Sequence, residues 1–357
     1  MRLIWFISGL VCLTIWSAAN AEPPHQNENG TFHVPAVDLP PSSLLSHESR
    51  AVLGLEQQEA AAQAKEPSCL DTSKSVAEQA LAFRRCQSDR YLASPEYTRL
   101  IKLFPVDLTA KTIGGVYTEV FTPKGGVSRE NRHRVLINLH GGGFLIGART
   151  FSKTESLPIA AIGRIEVISV DYRQGPENKF PAASDDVEAV YRELLKSYKP
   201  TEIGVYGCSA GGLLVAESVA RFIHDDLPVP GAIGMLCSGA AYYEDGDSGQ
   251  AWIGVPAWKP RDNPYLSEVD PTNPLAYPIQ SNEIMSKYPP SLLISGTRDF
   301  ALSSVVNTHS RLVADSVDAE LHVWDGLGHG FFYDPRLPES RQAYDVIVKF
   351  FDQHLAR

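Results

Sequence analysis

The feature that most constrains the fold is an alternation of short β-branched segments with helical segments, which runs from residue 134 to the end of the chain. Strands that are apolar on both faces need cover on both faces, and the intervening helices supply it. The pattern therefore predicts an α/β fold with a mostly parallel central sheet flanked by helices. The expected strands are 134–139, 165–171, 203–206, 231–237, 291–295 and 321–324, and the expected helices are 151–162, 182–197, 211–224, 303–315 and 338–355.

Two stretches, one before this alternation and one within it, differ from it in composition. Residues 22–42 are rich in Pro, Asn and Gly without a period, which predicts a flexible lead-in. Residues 241–288, with many Pro, Tyr, Trp and Asp, interrupt the alternation and indicate an insertion near the site. We therefore expect a lead-in and N-terminal helices over 22–104 and one α/β domain over 105–357. Within these limits we expect helices at 43–65, 73–85 and 95–103 and a hairpin of 106–112 with 116–122 around two glycines.

The first 21 residues are typical of an export signal. Arg2 precedes an apolar run from Leu3 to Trp16, and Ala19-Asn20-Ala21 fits the small-x-small cleavage rule. A retained anchor is the alternative, but the run is shorter than the roughly 20 residues that a spanning helix needs. We therefore expect a signal peptide over 1–21 and a mature protein that is periplasmic or secreted, without a membrane anchor.

Export changes the interpretation of the cysteines. In an oxidising compartment Cys69 and Cys86 are expected to form a disulfide in a polar stretch, which would contribute roughly 3 kcal/mol by the chain-entropy model. Two unpaired thiols are the alternative. Cys208 and Cys237 lie in apolar, strand-like contexts, where buried free cysteines are the usual state.

The overall charge excludes one large class of partner. The formal net charge is −10, and no cluster of Lys and Arg is present that would bind phosphates. We therefore expect no nucleic-acid partner.

Ser209 is the candidate nucleophile. The predicted strand Ile203-Gly204-Val205-Tyr206 runs into Gly207-Cys208-Ser209-Ala210-Gly211, and a helical segment follows at once. A serine at such a strand-to-helix turn is exposed at the sheet edge, and its small neighbours leave room for the turn. A structural turn serine is the alternative. A second candidate, Ser248 in Gly246-Asp247-Ser248-Gly249, is set aside because its surroundings are not those of an all-β barrel.

A glycine-rich loop follows the strand 134–139 and reads His140-Gly141-Gly142-Gly143-Phe144. Acyl transfer needs N–H donors aimed at a developing oxyanion, and glycines leave those groups accessible. The N–H groups of Gly142, Gly143 and Ala210 are the candidate donors, whereas His140 is expected to be structural. A phosphate-binding loop is disfavoured because the spacing fits neither nucleotide fingerprint, and a plain flexible turn is the remaining alternative.

His329 and Asp299 are the candidate base and acid. His329 lies in a glycine-flanked loop after a predicted strand, and Asp299 follows the strand 291–295 through Gly296-Thr297-Arg298. A serine nucleophile needs a base, and the base needs a group that orients it. An ion pair with Arg298 is the alternative role for Asp299, and Asp325 and Asp334 are the alternative acids.

Together, these motifs resemble the hormone-sensitive lipase-like esterases, also called bacterial family IV. The segments Asp171-Tyr172-Arg173-Gln174-Gly175-Pro176-Glu177 and Phe180-Pro181-Ala182-Ala183 are similar to a second signature of that family. The resemblance implies an α/β-hydrolase catalytic domain, a cap built from the N-terminal helices and the insertion, hydrolysis of short-chain esters and no metal or cofactor. It also implies that Glu177 supports the site.

The chain departs from the family at two places. Cys208 precedes the nucleophile where the family usually has Asp or Thr. Around the acid this chain reads Asp299-Phe300-Ala301-Leu302-Ser303, whereas many family members have Asp-Pro-Leu followed by a second acidic residue. Both departures weaken a substrate assignment but leave the three catalytic candidates in place.

The expected function is therefore hydrolysis of a small ester or lactone through an acyl-enzyme on Ser209. A non-catalytic binding protein on the same fold and an acyltransferase are the alternatives. The natural substrate and the oligomeric state stay open, with a homodimer among the options. The candidate pocket walls are aromatic: Phe144, Tyr242, Trp252, Trp258 and Tyr265.

Overall fold

The computed structural model describes residues 24–63, 68–69, 76–242, 245–253 and 262–356. The chain divides into two units at Pro40. The described part of the first unit contains a small antiparallel hairpin of β1 (His25–Gln26) and β2 (Phe32–His33). The sequence predicts no regular structure there, because two-residue strands are too short to leave an alternating pattern. The signal peptide predicted over 1–21 lies outside the described residues.

The second unit, residues 41–357, contains the central sheet and all the helices of the described chain. Its helices are α1 (His47–Gln63), α2 (Val76–Ala93), α3 (Pro95–Leu103), α4 (Phe151–Gly163), α5 (Ala182–Leu194), α6 (Ala210–His224), α7 (Asp247–Ile253), α8 (Asn282–Met285), α9 (Leu302–Ala314) and α10 (Pro338–His354). Its strands are β3 (Val106–Ile113), β4 (Val116–Pro123), β5 (Val135–Leu139), β6 (Glu166–Val170), β7 (Ile203–Cys208), β8 (Ala232–Leu236), β9 (Ser291–Arg298) and β10 (Ala319–Gly328).

The eight strands form one sheet in the order β10-β9-β8-β7-β5-β6-β4-β3. The six strands from β10 to β6 in that order run parallel, and the hairpin of β3 and β4 is antiparallel, with β4 also antiparallel to β6. Every residue of β5, β7 and β8 is buried, as expected of strands covered on both faces. The predicted α/β-hydrolase fold with a mostly parallel sheet is confirmed.

Two hydrophobic cores cover the two faces of the sheet. Side chains of α5, α6 and α9 build one core, and those of α3, α4 and α10 build the other. Successive residues of β5 alternate between them: Ile137 belongs to the first core and Leu136 to the second. None of the helices within the described ranges is long and apolar enough to cross a membrane.

The main differences from the expected elements lie at their ends. The helix expected at 73–85 runs from Val76 to Ala93, and its last turns pack on α4 through a 2.6 Å hydrogen bond between Tyr91 and Thr154. It stops at Ser94, whose hydroxyl accepts a bond from the Tyr97 N–H and begins α3. The strands expected at 203–206 and 291–295 continue to Cys208 and Arg298, so that Ser209 and Asp299 each follow a strand directly.

Candidate active site

Ser209 occupies a strained turn between β7 and α6. Its backbone has φ 59° and ψ −124°, a conformation that is unfavourable for a residue with a side chain. The turn is held by hydrogen bonds from the Ser209 N–H to Leu236 O (2.8 Å) and from the Leu213 N–H to Ser209 O (3.1 Å). The side chain is half-buried at the N-terminus of α6, where the helix field favours negative charge. This geometry is that of a nucleophile elbow.

Glycine is required on both sides of this turn by close packing. A Cβ on Gly207 or on Gly211 would collide with the carbonyl oxygen of Leu139, the last residue of β5. Backbone atoms cannot move aside as a flexible side chain would. The elbow is therefore seated directly against the strand that leads into the glycine-rich loop.

Asp299 is fully buried just past β9 and accepts three hydrogen bonds. Its Oδ1 receives bonds from His329 Nδ1 (2.7 Å) and the Ala301 N–H (2.8 Å), and its Oδ2 receives one from the Ser295 hydroxyl (2.9 Å). Burial alone would raise the pKa of Asp299, but the bond and charge of His329, with the other two donors, hold that pKa below its usual value. Asp299 is therefore a carboxylate that is fixed toward His329.

His329 follows β10, with its ring stacked on Phe300 at 4.1 Å between centroids. Since Nδ1 faces Asp299, Nε2 is the ring nitrogen left to exchange a proton. The two alternative acids are engaged elsewhere: Asp325 with Ser42 and Thr297, and Asp334 in a 2.7 Å ion pair with Arg336.

A pair of thiols links the elbow to this acid and base. Cys208, directly before Ser209, and Cys237, which follows β8, are both buried, and their side chains interact. The Cys237 thiol lies with one donor atom each of Asp299 and His329 in a group whose members are within 4.8 Å of one another. The carboxyl ends of β7, β8, β9 and β10 thus bring the serine, acid and base loops together.

That group of three donor atoms could in principle hold a metal ion. Asp299 and His329 already bond each other, however, and the Gly330 N–H donates to Cys237 Sγ at 3.3 Å. Burial raises the pKa of both Cys208 and Cys237, which opposes the thiolate form that binds metals. The arrangement suits proton transfer by His329 better than coordination.

The glycine-rich loop presents N–H groups beside the elbow. Gly142 and Gly143 have φ 118° and 62°, and Gly142 O accepts bonds from the N–H groups of Leu145 and Ile146, both at 3.0 Å. Within the described residues no partner is recorded for the N–H of Gly142 or Gly143. As the first residue of α6, Ala210 also has no intrahelical acceptor for its N–H. These are the three N–H groups that the sequence analysis names as candidate donors, and their role in binding an oxyanion stays a prediction.

His140 is a buried structural residue. Its Nδ1 donates to Gly141 O at 2.8 Å, and its ring stacks on Tyr172, whose hydroxyl donates to His140 O at 2.6 Å. Burial lowers the pKa of His140 to about 4, so that the ring is neutral near pH 7. It therefore shapes the start of the loop and is unsuited to act as the base.

Glu177 pairs with Arg84 of α2 at 2.8 Å. Arg84 also donates to the carbonyl oxygens of Leu145 (2.6 Å) and Gly175. One guanidinium thus joins an N-terminal helix, the glycine-rich loop and the loop that carries Glu177. The family resemblance implies a supporting role for Glu177, whereas no signal in the sequence points to Arg84.

The aromatic candidates for the pocket differ in placement. Phe144 and Tyr265 are buried and stack on each other at 4.6 Å, and Tyr242 is buried edge-on to Tyr277, so these rings are part of the core. Trp252 on α7 is 39% exposed, and Trp258 lies outside the described residues. Their role as pocket walls stays a prediction.

The remaining cysteine and serine candidates have defined places. Cys69 and Cys86 form a disulfide with a Cα–Cα distance of 5.7 Å, and Cys208 and Cys237 are free and buried. Ser248 donates to Phe300 O at 2.7 Å and accepts from the Ser303 N–H at 2.8 Å. It therefore packs α7 against the acid loop.

The chain matches the alpha/beta hydrolase fold family over residues 136–333, which include the glycine-rich loop, the elbow, the acid and the base. The chain belongs to this family. Among curated relatives, an acetyl-hydrolase of Streptomyces hygroscopicus is 26% identical over 61% of this chain and 75% of its own length. An esterase of Acinetobacter venetianus is 25% identical over 72% of this chain and 86% of its own.

Solved structures agree with the resemblance drawn from the motifs. A crystal structure of esterase E25 has a TM-score of 0.76 and 26% identity, and it covers 91% of this chain and 99% of its own. An esterase from the bacterial hormone-sensitive lipase family has a TM-score of 0.69 and 28% identity, covering 87% and 99%. The resemblance to hormone-sensitive lipase-like esterases is confirmed, and the chain is a carboxylic ester hydrolase.

Proposed function

We propose that this hydrolase cleaves small, short-chain esters through an acyl-enzyme on Ser209. The observation that carries the proposal is the 2.7 Å bond between His329 Nδ1 and Asp299. These two residues follow β10 and β9, and the strained Ser209 follows β7 of the same sheet. A buried carboxylate that fixes one imidazole nitrogen leaves the other to accept a serine proton.

The reaction proceeds in two halves. Nε2 of His329 takes the hydroxyl proton of Ser209 as its oxygen attacks the ester carbonyl, and Asp299 stabilises the imidazolium that forms. The N–H groups of Gly142, Gly143 and Ala210 bind the tetrahedral oxyanion, and each such donor is worth roughly 3 kcal/mol or more in the transition state. His329 then protonates the leaving alcohol. Water repeats the attack on the acyl-enzyme, the acid is released and Ser209 regains its proton.

The preference for short acyl chains rests on the acetyl-hydrolases and esterases that the chain resembles. A series of p-nitrophenyl esters from acetate to palmitate, with lactones alongside, tests it on the purified mature protein. We expect the highest kcat/KM for the short chains, and Ser209→Ala should abolish turnover. Turnover that rises toward palmitate would contradict the short-chain proposal.

The two alternative functions give different results in the same assay. A non-catalytic binding protein would bind the esters without turnover at any chain length. An acyltransferase would direct most of the acyl group to an added alcohol in preference to water, so the ratio of transfer to hydrolysis distinguishes it. We expect hydrolysis to dominate.

We also propose that the protein is exported to the periplasm or beyond. The predicted signal peptide over 1–21 and the disulfide between Cys69 and Cys86 both support an oxidising compartment. Fractionation of producing cells with N-terminal sequencing of the product tests this, and we expect a mature N-terminus at Glu22. The homodimer and the lack of an anchor on the mature protein stay predictions, which light scattering and membrane washing would test.

A further inference from the structure

Glu155 of α4 is a buried carboxyl group beneath the site that the reaction above does not use. Its Oε1 accepts hydrogen bonds from the Gly141 N–H (2.8 Å) and the Tyr333 hydroxyl (2.7 Å). Its Oε2 accepts one from Asn138 Nδ2 (2.8 Å). Two of the donors belong to β5 and the loop that follows it, the third comes from a segment almost 200 residues later, and Glu155 is only 4% exposed. Solvent exposure therefore does not explain an ionisable group at this position.

The three donors connect the parts that the reaction needs. Asn138 lies in β5 and Gly141 directly precedes Gly142 of the oxyanion loop, whereas Tyr333 follows the base loop of His329. The Tyr333 hydroxyl also lies close to Cys208, the residue before the nucleophile. One carboxyl group thus joins the oxyanion loop to the loop that carries the base.

The packing around Gly141 leaves little freedom for that loop. A Cβ on Gly141 would lie 2.9 Å from the Tyr333 hydroxyl and 3.0 Å from Cys208 O. The His140–Gly141 peptide is therefore enclosed between Tyr333 and the elbow, with the Gly141 N–H directed at Glu155. The direction of the next N–H groups depends on where this peptide is held.

We propose that Glu155 is a positioning residue for the oxyanion hole, acting through the Gly141 N–H and, together with Tyr333, setting the oxyanion loop against the base loop. The inference rests on the proposed function, because it requires an oxyanion on an ester bound to Ser209. Burial raises the pKa of Glu155 to about 7, although the hydrogen bonds from Tyr333, Gly141 and Asn138 lower it. Keeping a carboxylate at this buried position therefore costs free energy. A purely structural position would be filled more stably by an apolar side chain.

The test compares Glu155→Ala with Glu155→Gln. Alanine removes every acceptor. Glutamine keeps an acceptor for Gly141 and Tyr333. In the wild type the Ser169 hydroxyl donates to Asn138 Oδ1 at 2.8 Å. If the Asn138 amide turns over, its nitrogen donates to the Ser169 hydroxyl and its oxygen accepts from the glutamine amide. We expect Glu155→Ala to lower kcat on p-nitrophenyl butyrate about 10- to 100-fold with little change in KM, because misplaced donors act on the transition state. We expect Glu155→Gln to recover most of that loss.

A second readout separates positioning from general damage. The Ser209 oxygen adds to the carbonyl of a trifluoromethyl ketone, and the serine proton moves to His329. The adduct carries an oxyanion in the hole. The Ki of the ketone should rise in Glu155→Ala by the same factor as kcat falls. Leu194→Ala in α5 is the matched control: it removes a buried core side chain far from these loops and should lower Tm but leave kcat and Ki unchanged.

Tyr333→Phe keeps the inference testable if Glu155→Ala does not fold, since it removes a single donor. We expect it to lower kcat by a smaller factor, about threefold to tenfold. Wild-type kcat and Ki in Glu155→Ala, or in Tyr333→Phe where the alanine variant is insoluble, would overturn the inference. Turnover in Ser209→Ala would instead overturn the proposed function, so the two failures are distinguishable.

Discussion

Replacing Asp299 by Asn isolates the contribution of its charge to catalysis. The amide oxygen can take the Oδ1 position and accept from His329 Nδ1 and the Ala301 N–H, as the carboxylate does at 2.7 and 2.8 Å. The amide nitrogen then faces the Ser295 hydroxyl, which can turn to accept from it. The imidazole therefore keeps its orientation, and only the negative charge beside the developing imidazolium is lost.

The size of that loss follows from the separation of the charges. For two unit charges about 4 Å apart at an effective dielectric constant of about 20, the attraction is about 4 kcal/mol. Asp299 is completely buried, so solvent screens little of it. At about 1.4 kcal/mol for each factor of ten, Asp299→Asn should lower kcat about a thousandfold. Asp299→Ala should lower it further, because the ring orientation is lost as well.

The assay is steady-state hydrolysis of p-nitrophenyl butyrate, with Tm measured for each variant. Ser295→Ala is the control: it removes a donor to Oδ2 but leaves the charge and the His329 bond, and we expect kcat to fall less than about tenfold. An Asp299→Asn enzyme that is folded and retains more than about a tenth of the wild-type kcat would refute this account of the acid.

Three further predictions concern stability and the elbow. The pKa of Glu155 is raised to about 7, so between about pH 4.5 and 7 the folded state holds a proton that the unfolded state has lost. As pH rises through this range, the wild-type free energy of unfolding should therefore fall by about 3 kcal/mol relative to that of Glu155→Gln. Urea denaturation at both pH values measures this, and a difference independent of pH would contradict it. Removing the disulfide with Cys69→Ser and Cys86→Ser should cost about 3 kcal/mol, given the sequence separation of 17, and an unchanged urea midpoint would exclude that contribution. Gly211→Ala should abolish activity, because its Cβ would collide with Leu139 O, and full activity in that variant would show that the elbow is not packed as described.

The local patterns were sufficient for the fold and for the triad candidates. Strands β5, β7 and β8 are buried on both faces, so their apolar runs are unambiguous, and parallel strands deliver the residues that follow them to one sheet edge. Ser209, Asp299 and His329 each follow such a strand, which is why their positions could be expected from sequence.

The supporting residues could not be found in the same way, because their roles depend on contacts between distant segments. Arg84 reaches Leu145 and Gly175 from a helix about 60 to 90 residues earlier in the chain, and nothing in its neighbourhood marks it. Glu155 carried one weak signal, an ionisable residue before the apolar stretch Ser156 to Ile162, yet its partners could not be read from that segment.

The last turns of α2 were missed for a similar reason. The hydrogen bond between Tyr91 and Thr154 and the packing on α4 extend the helix to Ala93, beyond the point at which its own sequence pattern fades. Tertiary contact thus overrides local propensity at this end of the helix.

Trapping the acyl-enzyme tests the central claim most directly. The protein is mixed with p-nitrophenyl butyrate, quenched in acid within the first turnovers, digested and mapped by mass spectrometry, with Ser209→Ala and Ser248→Ala run in parallel. A Ser209 nucleophile predicts a butyryl group on Ser209 in the wild type and in Ser248→Ala, and none in Ser209→Ala. A butyryl group on another residue, or turnover that persists in Ser209→Ala, would contradict it.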